Sequence, residues 1–229
     1  MTMPTDAFEM AMVHRVFRSE LRSASELIRQ VHPGQYGRRK RVADHILNVL
    51  AALHHHHHAE DELLWPTLRS RVRLRADDID RMETEHALMA KLVSSVEVRL
   101  AAWIADTDCT AAGCAPQSSA AQKLIYEIET LAELVNEHFN AEELRVVPLI
   151  NECITDAEWH ATTERGASFL TVHNIGFGVA FIGMVLETCT VDERRRFLAG
   201  MSAPRRVLAK LFAGRVASSY RARLESQPS

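Results

Sequence analysis

Two stretches of this chain share one arrangement: a histidine, a glutamate four residues later and a proline six residues after the glutamate. The two stretches contain His56, Glu60 and Pro66, and His138, Glu142 and Pro148. Residues four apart on an α-helix lie on the same face, so each histidine and its glutamate can approach one point in space. A single histidine precedes each stretch, His14 before the first and His86 before the second, so the order of these residues repeats.

Four long segments have the apolar spacing of amphipathic helices. Their apolar residues recur at alternating steps of three and four, which places one stripe of each helix against its neighbours. The stripes are Met10, His14, Phe17, Leu21, Ala24, Ile28 and Val31; Val42, Ile46, Val49, Leu53, His56, Glu60 and Leu63; Ile79, Met82, His86, Met89, Val93, Val96, Leu100 and Trp103; and Leu124, Ile128, Leu131, Val135, His138, Glu142, Val146 and Leu149. With only 9 Gly and 7 Pro, and little period-two alternation, the pattern predicts an all-α fold.

Breaks between the segments predict the order and direction of the helices. The breaks fall at residues 32–37, 75–78 and 106–119 and near Thr155. Short connections favour antiparallel neighbours, so we expect an up-down-up-down four-helix bundle with additional C-terminal helices. We place the bundle in residues 1–154 and a helical extension that packs on it in residues 155–229.

The ends of the predicted helices carry capping and breaking residues. The suitable N-caps are Asp77 or Asp78 for the third helix and Ser118 or Ser119 for the fourth. Proline lacks a backbone N–H and clashes with the preceding helical turn, so we expect Pro66 and Pro148 to disturb the helices in which they lie.

Placing histidines and glutamates among Leu, Ile and Val is costly unless a partner compensates them, because an isolated buried charge costs several kcal/mol. A pair of divalent or trivalent cations would offset the charge of Glu60 and Glu142, and imidazole and carboxylate are suitable iron ligands. One such histidine alone is more often a hydrogen-bonded core residue. Two His-x-x-x-Glu pairs with one histidine from each remaining helix are instead typical of a metal site, and bundle cores often hold two-metal sites.

The run His54 to His58 contains more histidines than the predicted site uses. His56 lies on the apolar stripe, with His57 beside it. We expect His54, His55 and His58 to face mostly solvent, where loose capture of metal would be an artefact. The internal position of the run argues against an expression tag. Whether His57 completes the coordination stays open at this point.

These residues resemble the hemerythrin HHE cation-binding family over about residues 10 to 152. In that family one helix contributes a histidine, the next contributes a His-x-x-x-Glu ahead of a hydrophobic residue and proline, and the order repeats. The residues that fill those places are His14, His56, Glu60, His86, His138 and Glu142. The resemblance implies a hemerythrin-like bundle with two iron ions bridged by the two glutamates and by an oxo or hydroxo group. Manganese or zinc would tolerate similar ligands.

The third helix departs from the oxygen-carrying hemerythrins, which supply two histidines four apart there. Here Met82 and Ala90 lie four residues before and after His86. Two six-coordinate ions offer about twelve positions, of which four histidines, two bridging glutamates and one further bridge fill all but about two. Open coordination positions on the irons favour a centre that reacts with its ligand over one that only carries oxygen. Glu83, three residues before His86, is a further candidate ligand, and an exposed residue at a helix start is its ordinary alternative.

The C-terminal third lies outside the core of the resemblance and has a helical pattern. Its expected apolar stripe consists of Ile175, Val179, Ile182 and Leu186. Thr190 and Glu193 have the spacing of a capping box. We expect these helices to cover the bundle, and His173 to have a structural role unless its segment folds back onto the metal site. The basic residues 194–223 allow peripheral contact with a membrane or a partner protein, but a solvated helical face is their more common role.

Charge and composition exclude some functions. A net charge of −3 gives no reason to expect nucleic acid as a partner. The first residues lack the pattern of a secretory signal, and the longest apolar stretch, residues 175–186, is shorter than the ~20 residues of a spanning helix. We therefore expect a cytoplasmic protein in which the four cysteines are free thiols, with pairing of Cys109 and Cys114 under oxidation as the alternative.

The leading functional hypothesis is a non-haem di-iron protein that binds or reacts with O2, peroxide or NO in oxidative or nitrosative stress handling or sensing. An iron-responsive regulatory or iron-storage module is the first alternative. A di-iron oxygenase or a catalase-like enzyme is the second. The expected partner is a small diatomic ligand or peroxide, and the oligomeric state stays open.

Overall fold

The computed structural model of the chain describes residues 5–72, 75–106, 118–169 and 175–226. Its helices are α1 (Phe8–Arg29), α2 (Tyr36–Ala59), α3 (Trp65–Arg71), α4 (Ala76–Ala105), α5 (Ser119–Arg145), α6 (Val147–Cys153), α7 (Asp156–Gly166), α8 (Ile175–Thr188), α9 (Val191–Gly200), α10 (Ala203–Leu208) and α11 (Gly214–Glu225). One π-helical turn, Glu60–Leu64, joins α2 to α3, and another, Ala209–Ala213, joins α10 to α11. The all-α prediction is confirmed.

Helices α1, α2, α4 and α5 form a four-helix bundle. Around the ring, α1 contacts α2 and α5, and α4 contacts the same two helices. His14 and His86 lie near the N-termini of α1 and α4, whereas His56 and His138 lie near the C-termini of α2 and α5. These histidines meet in pairs at one end of the bundle. Successive helices therefore run in opposite directions, as predicted.

The apolar stripes of the four helices meet in one continuous core. The largest side chains that are fully buried in it include Phe17, Leu21, Ile28, Ile46, Leu50, Leu53 and Phe139. Burying a side chain of this kind stabilises the fold by about 1.5–3 kcal/mol. The bundle thus has a source of stability that is separate from the polar side chains at its end.

The core register changes just beyond the two glutamates, and two predicted core positions are wrong. Leu63 and Leu149 are only partly buried, and the neighbouring Leu64 and Ile150 are buried instead. After α2 the cause is the π-helical turn, because a π-turn holds one more residue than an α-turn and shifts every following residue.

Both prolines lie where their helices are interrupted, as predicted. Pro66 is in the first turn of α3, after a π-turn in which the N–H of Trp65 donates to the carbonyl of Glu60. Pro148 is in the first turn of α6, which follows a break at Val146. At these positions the missing N–H of proline costs nothing, because the first N–H groups of a helix have no partner within it.

The predicted helix caps are right for α5 and wrong for α4. Ser118 caps α5, and its Oγ accepts a hydrogen bond of 3.2 Å from a backbone N–H of the first turn. Helix α4 instead begins at Ala76, so Asp77 and Asp78 lie inside its first turn. There Asp78 accepts a hydrogen bond of 2.8 Å from Nε of Arg75, and this ion pair takes the place of a side-chain cap.

Helix α8 packs against α1 of the bundle and against α11. Its predicted stripe is only partly right: Leu186 is buried, but Ile175 is 66% exposed. The buried residues that join the bundle core are Phe177, Ala180, Phe181, Met184 and Val185. A helix covered on two sides is apolar around most of its circumference, so periodicity does not identify its core face.

Gly183 lets α8 approach the C-terminal helices closely. A Cβ at this position would lie 2.3 Å from the carbonyl oxygen of Ala213. Only glycine therefore allows the two segments to lie this close.

The capping box of Thr190 and Glu193 is present at the start of α9, as predicted. The boundary at residue 154 remains a prediction.

No helix in the described part of the chain is long and apolar enough to cross a membrane. Cys153 and Cys189 are free thiols. His173, Cys109 and Cys114 lie outside the described residues.

Candidate metal centre

Among the described residues, seven side chains that can bind a metal converge at one end of the bundle. They are His14, His56, His57, Glu60, His86, His138 and Glu142. All of them are buried except His56, whose side chain is 15% exposed. The structure thus brings together the six main residues that the sequence singles out, and it adds His57.

The seven residues form two groups. The first group contains His14, His56, Glu60 and Glu142, and the second contains His57, His86 and His138. Within each group, one potential ligand atom of every residue lies within 4.8 Å of the others.

Glu60 lies between the two groups. Its Oε1 is 3.3 Å from Nε2 of His56 in the first group, and its Oε2 is 3.6 Å from Nε2 of His86 in the second. Both oxygens are buried, and neither has a hydrogen-bond partner among the described residues. Buried carboxylate oxygens normally have partners, so this carboxylate is a candidate metal ligand within reach of both groups.

Glu142 occupies the corresponding place on α5. Its Oε2 is 3.4 Å from Nε2 of His14 and 3.8 Å from Nε2 of His138, which belong to different groups. Both of its oxygens are also buried without a hydrogen-bond partner. The two glutamates therefore connect the groups from opposite sides of the bundle.

Three histidines are oriented by carboxylates through Nδ1. The Nδ1 atoms of His14, His86 and His138 lie 2.8 Å from Glu143, 2.7 Å from Asp61 and 2.9 Å from Glu85, respectively. A carboxylate only accepts hydrogen bonds, so each Nδ1 donates and carries the proton. In a neutral ring the inward-facing Nε2 then has a free lone pair, which is the form that binds a metal.

The inward nitrogens face one another at short range. Nε2 of His14 is 3.1 Å from Nε2 of His56, and Nε2 of His86 is 3.1 Å from Nε2 of His138. For His86 and His138 both lone pairs point into the same space, because both protons are on Nδ1. Two facing lone pairs repel each other, whereas a cation placed between them attracts both.

Burial favours the neutral form of both glutamates and of His14, His56, His57 and His138. Burial lowers the pKa of His138 to about 4 and raises the pKa of Glu142 to about 8. The pKa of Glu60 is also raised well above its usual range, by burial and then by the charge of Glu142. Burial lowers the pKa of the remaining affected histidines of the cluster, which are His14, His56 and His57. The pocket thus disfavours bare charge, and a cation that replaces the protons of the glutamates fits it.

Ring stacking differs between the groups. The ring of His57 stacks on His86 with centroids 4.2 Å apart and an interplanar angle of 16°. The ring of Phe139 stacks on His14 at 3.7 Å and 8°. Nε2 of His57 is buried and has no hydrogen-bond partner, so it too is free to bind a cation.

Sequence reasoning left His57 open because it follows His56, and neighbouring residues on a helix point about 100° apart. The sequence did contain one signal for His57: the third helix carries a single histidine, so a further histidine ligand had to come from another helix.

Glu83 is not brought into the cluster: its Oε2 accepts a hydrogen bond of 2.9 Å from Arg69. His54 and His58 are exposed, as expected.

Comparison with known proteins gives one family. The model of the hemerythrin HHE cation binding domain matches residues 6–150. No curated protein and no solved structure matches the chain. The matched range includes all seven residues of the cluster and ends before the C-terminal helices.

Proposed function

Because the chain belongs to the hemerythrin HHE cation-binding family, we propose that it is a non-haem di-iron protein whose centre binds or reacts with O2, peroxide or NO. The observation that carries this proposal is the placement of Glu60 and Glu142 between two groups of histidines, with all four carboxylate oxygens buried and unpartnered. Such carboxylates are destabilising in a protein core unless cations lie between them.

The ligands divide unequally between the two irons. His14 and His56 would hold one ion, and His57, His86 and His138 would hold the other. Each glutamate lies near a histidine of both groups and would serve both ions. Five histidines and two bridging glutamates fill nine of about twelve positions on two six-coordinate ions. With one further bridging group, the open position falls to the ion held by only two histidines.

Iron supplies a reversible change of oxidation state and a coordination position for a small ligand. The chain supplies the surroundings. Phe139 and Phe17 pack against the rings of His14 and His56 and keep water from that side. Glu143 fixes the ring of His14, and Arg18 in turn donates to Glu143 at 2.8 Å, so that the ring has little freedom to turn away.

Metal content and ligand spectra test this proposal. Untagged protein loaded with Fe(II) without oxygen should retain two irons per chain after gel filtration. Oxidised protein should absorb in the near ultraviolet, and the reduced protein should show a new spectrum with NO. Protein that retains no iron after loading would contradict the proposal.

Peroxide separates binding from enzymatic turnover. Iron-loaded protein is mixed with hydrogen peroxide while dissolved oxygen is recorded. Rapid oxygen release favours a catalase-like enzyme, whereas reversible O2 or NO spectra without oxygen release favour a binding or sensing protein.

An iron-responsive regulatory module is a second candidate, favoured by the contacts of α7. This helix packs against α2 and against the π-turn that carries Glu60. Nε of Arg165 donates to Glu62 of that turn at 2.7 Å, and the indole N–H of Trp159 donates to Glu9 of α1 at 3.1 Å. A shift of the turn on metal binding would therefore reach α7. Protection of residues 155–229 from protease only when iron is bound is the result that this candidate predicts.

A further inference from the structure

A cleft of about 600 Å³ runs between α2 and α4 and opens to solvent. Part of its wall is apolar and is formed by Leu53, Met89 and Val93. His57 and His86 also line it, and both are buried members of the second group. The cleft thus connects solvent with the three-histidine side of the centre.

Two exposed histidines line the same cleft. His54 and His58 are four residues apart on α2, and their rings are parallel, with centroids 5.9 Å apart and an interplanar angle of 3°. Nε2 of His58 is 3.7 Å from Oε2 of Glu62, one further turn along. Imidazoles at this spacing on one helix face can bind a first-row divalent cation together, and the exposed setting makes such binding weak and exchangeable.

The charges along the cleft favour a cation. Asp61, Glu83 and Glu97 line it, and none of the described residues in its lining is a lysine or an arginine. The two nearby cations have carboxylate partners, since Arg69 donates to Glu83 and Arg165 donates to Glu62, so Asp61 and Glu97 set the sign of the local potential. A cleft lined by one sign of charge concentrates ions of the opposite sign.

A diatomic ligand does not explain this arrangement. Neutral O2 or NO needs no chain of imidazoles, and the cleft opens on the three-histidine group rather than on the two-histidine group, where the open position would lie. A hydrated metal ion does need such a chain, because it must exchange water for protein ligands step by step before it enters a low-dielectric interior.

We propose that the cleft is the route by which divalent metal enters the centre, with His54 and His58 as an outer, exchangeable binding site and His57 and His86 as the inner receiving ligands. This inference rests on the proposed metal-binding function. It assigns a role to two histidines that the buried centre does not use.

The rate at which the metal-free full-length protein takes up Co(II), a coloured substitute for Fe(II), tests the proposal. The double variant His54→Ala/His58→Ala should load about tenfold more slowly, the order of effect seen when groups around a metal site are removed. Its final cobalt content should equal that of the unaltered protein. His160→Ala removes an exposed histidine that also pairs with a glutamate four residues on, at 3.6 Å, and should change neither quantity.

A second variant tests the route without touching a histidine. Ala90 lines the cleft, so Ala90→Trp should obstruct it and slow loading. Ala102→Trp, an exposed position of the same helix about 120° around its axis from Ala90 and outside the cleft lining, should not. Unchanged rates in both the double histidine variant and Ala90→Trp would overturn the route. A lower final cobalt content in the double histidine variant would overturn the outer-site role, since it would make these histidines part of the permanent site. Absence of cobalt binding by the unaltered protein would instead overturn the proposed function.

Discussion

The two halves of the bundle repeat the same ligand order but differ at the residue after the second histidine. In the first half that residue is His57, which stacks on His86. In the second half it is Phe139, which stacks on His14 in the matching position. One repeat position thus carries a third imidazole for one ion and an apolar cover for the other.

This difference separates two tasks that a symmetric centre would share. The three-histidine group opens on the cleft, whereas the two-histidine group lies behind Phe17 and Phe139. Metal loading and ligand binding can therefore use different sides of the centre. A single residue type at one repeat position is enough to produce the asymmetry.

Removing a shared glutamate should have the largest effect, because it breaks both groups at once. We expect Glu142→Ala to lose most of both metal ions, as measured by elemental analysis after gel filtration. His54→Ala is the control and should keep full metal content, since His54 is exposed and outside both groups. Equal losses in the two variants would contradict the assignment of the ligands.

The substitution His57→Phe, which gives the first half of the bundle the ring found in the second half, should have the next largest effect. His57→Phe keeps a ring to stack on His86 but removes the nitrogen that faces the second group. We expect one of the two ions to bind 10–100-fold more weakly, roughly the loss that changes around a metal site produce. Competition with a chelator measures this affinity. Equal weakening of both ions would mean that His57 does not belong to one group.

The reverse change should alter ligand binding rather than metal content. Phe139→His places a third imidazole, the sixth of the whole centre, beside the two-histidine group and would fill its open position. We expect the protein to retain both ions and to lose most of its spectral response to NO. Phe139→Leu, which removes the ring without adding a donor, controls for the change in core packing. An unchanged NO response in Phe139→His would place the open position elsewhere.

The smallest expected effect is on the pH dependence of loading. Burial raises the pKa of Glu142 to about 8, so the metal-free protein holds a proton there at pH 7 that the metal must displace. The pKa of Glu60 is raised as well, so its proton must also be displaced. Affinity should therefore rise between pH 6.5 and 8, by at most about tenfold per pH unit for each proton that the metal displaces. His138, with a pKa of about 4, is already neutral in this range. Calorimetry in buffers of different ionisation enthalpy counts the released protons, and no release at pH 7 would contradict this account.

Much of the fold and of the candidate site could be predicted from the sequence. The apolar stripes identified the four bundle helices, and the short connections gave their directions. The six main candidates were found because histidine and glutamate interrupt otherwise apolar stripes, and the structure places them together. Their roles as metal ligands stay predictions. His57 was left open since it lies beside the stripe. Glu83 was a further candidate, and its partner in the structure is the distant Arg69, which the sequence pattern could not indicate.

The sequence by itself determined the helices and which face of each bundle helix is apolar, because both depend on residues three and four apart in the chain. Only the tertiary structure decided which groups meet across helices: His57 with His86, Phe139 with His14, and α8 with both α1 and α11. The physical reason is that a helix face is a local property. The partner of a side chain, by contrast, depends on the packing of distant segments and on a π-turn that shifts the register by one residue.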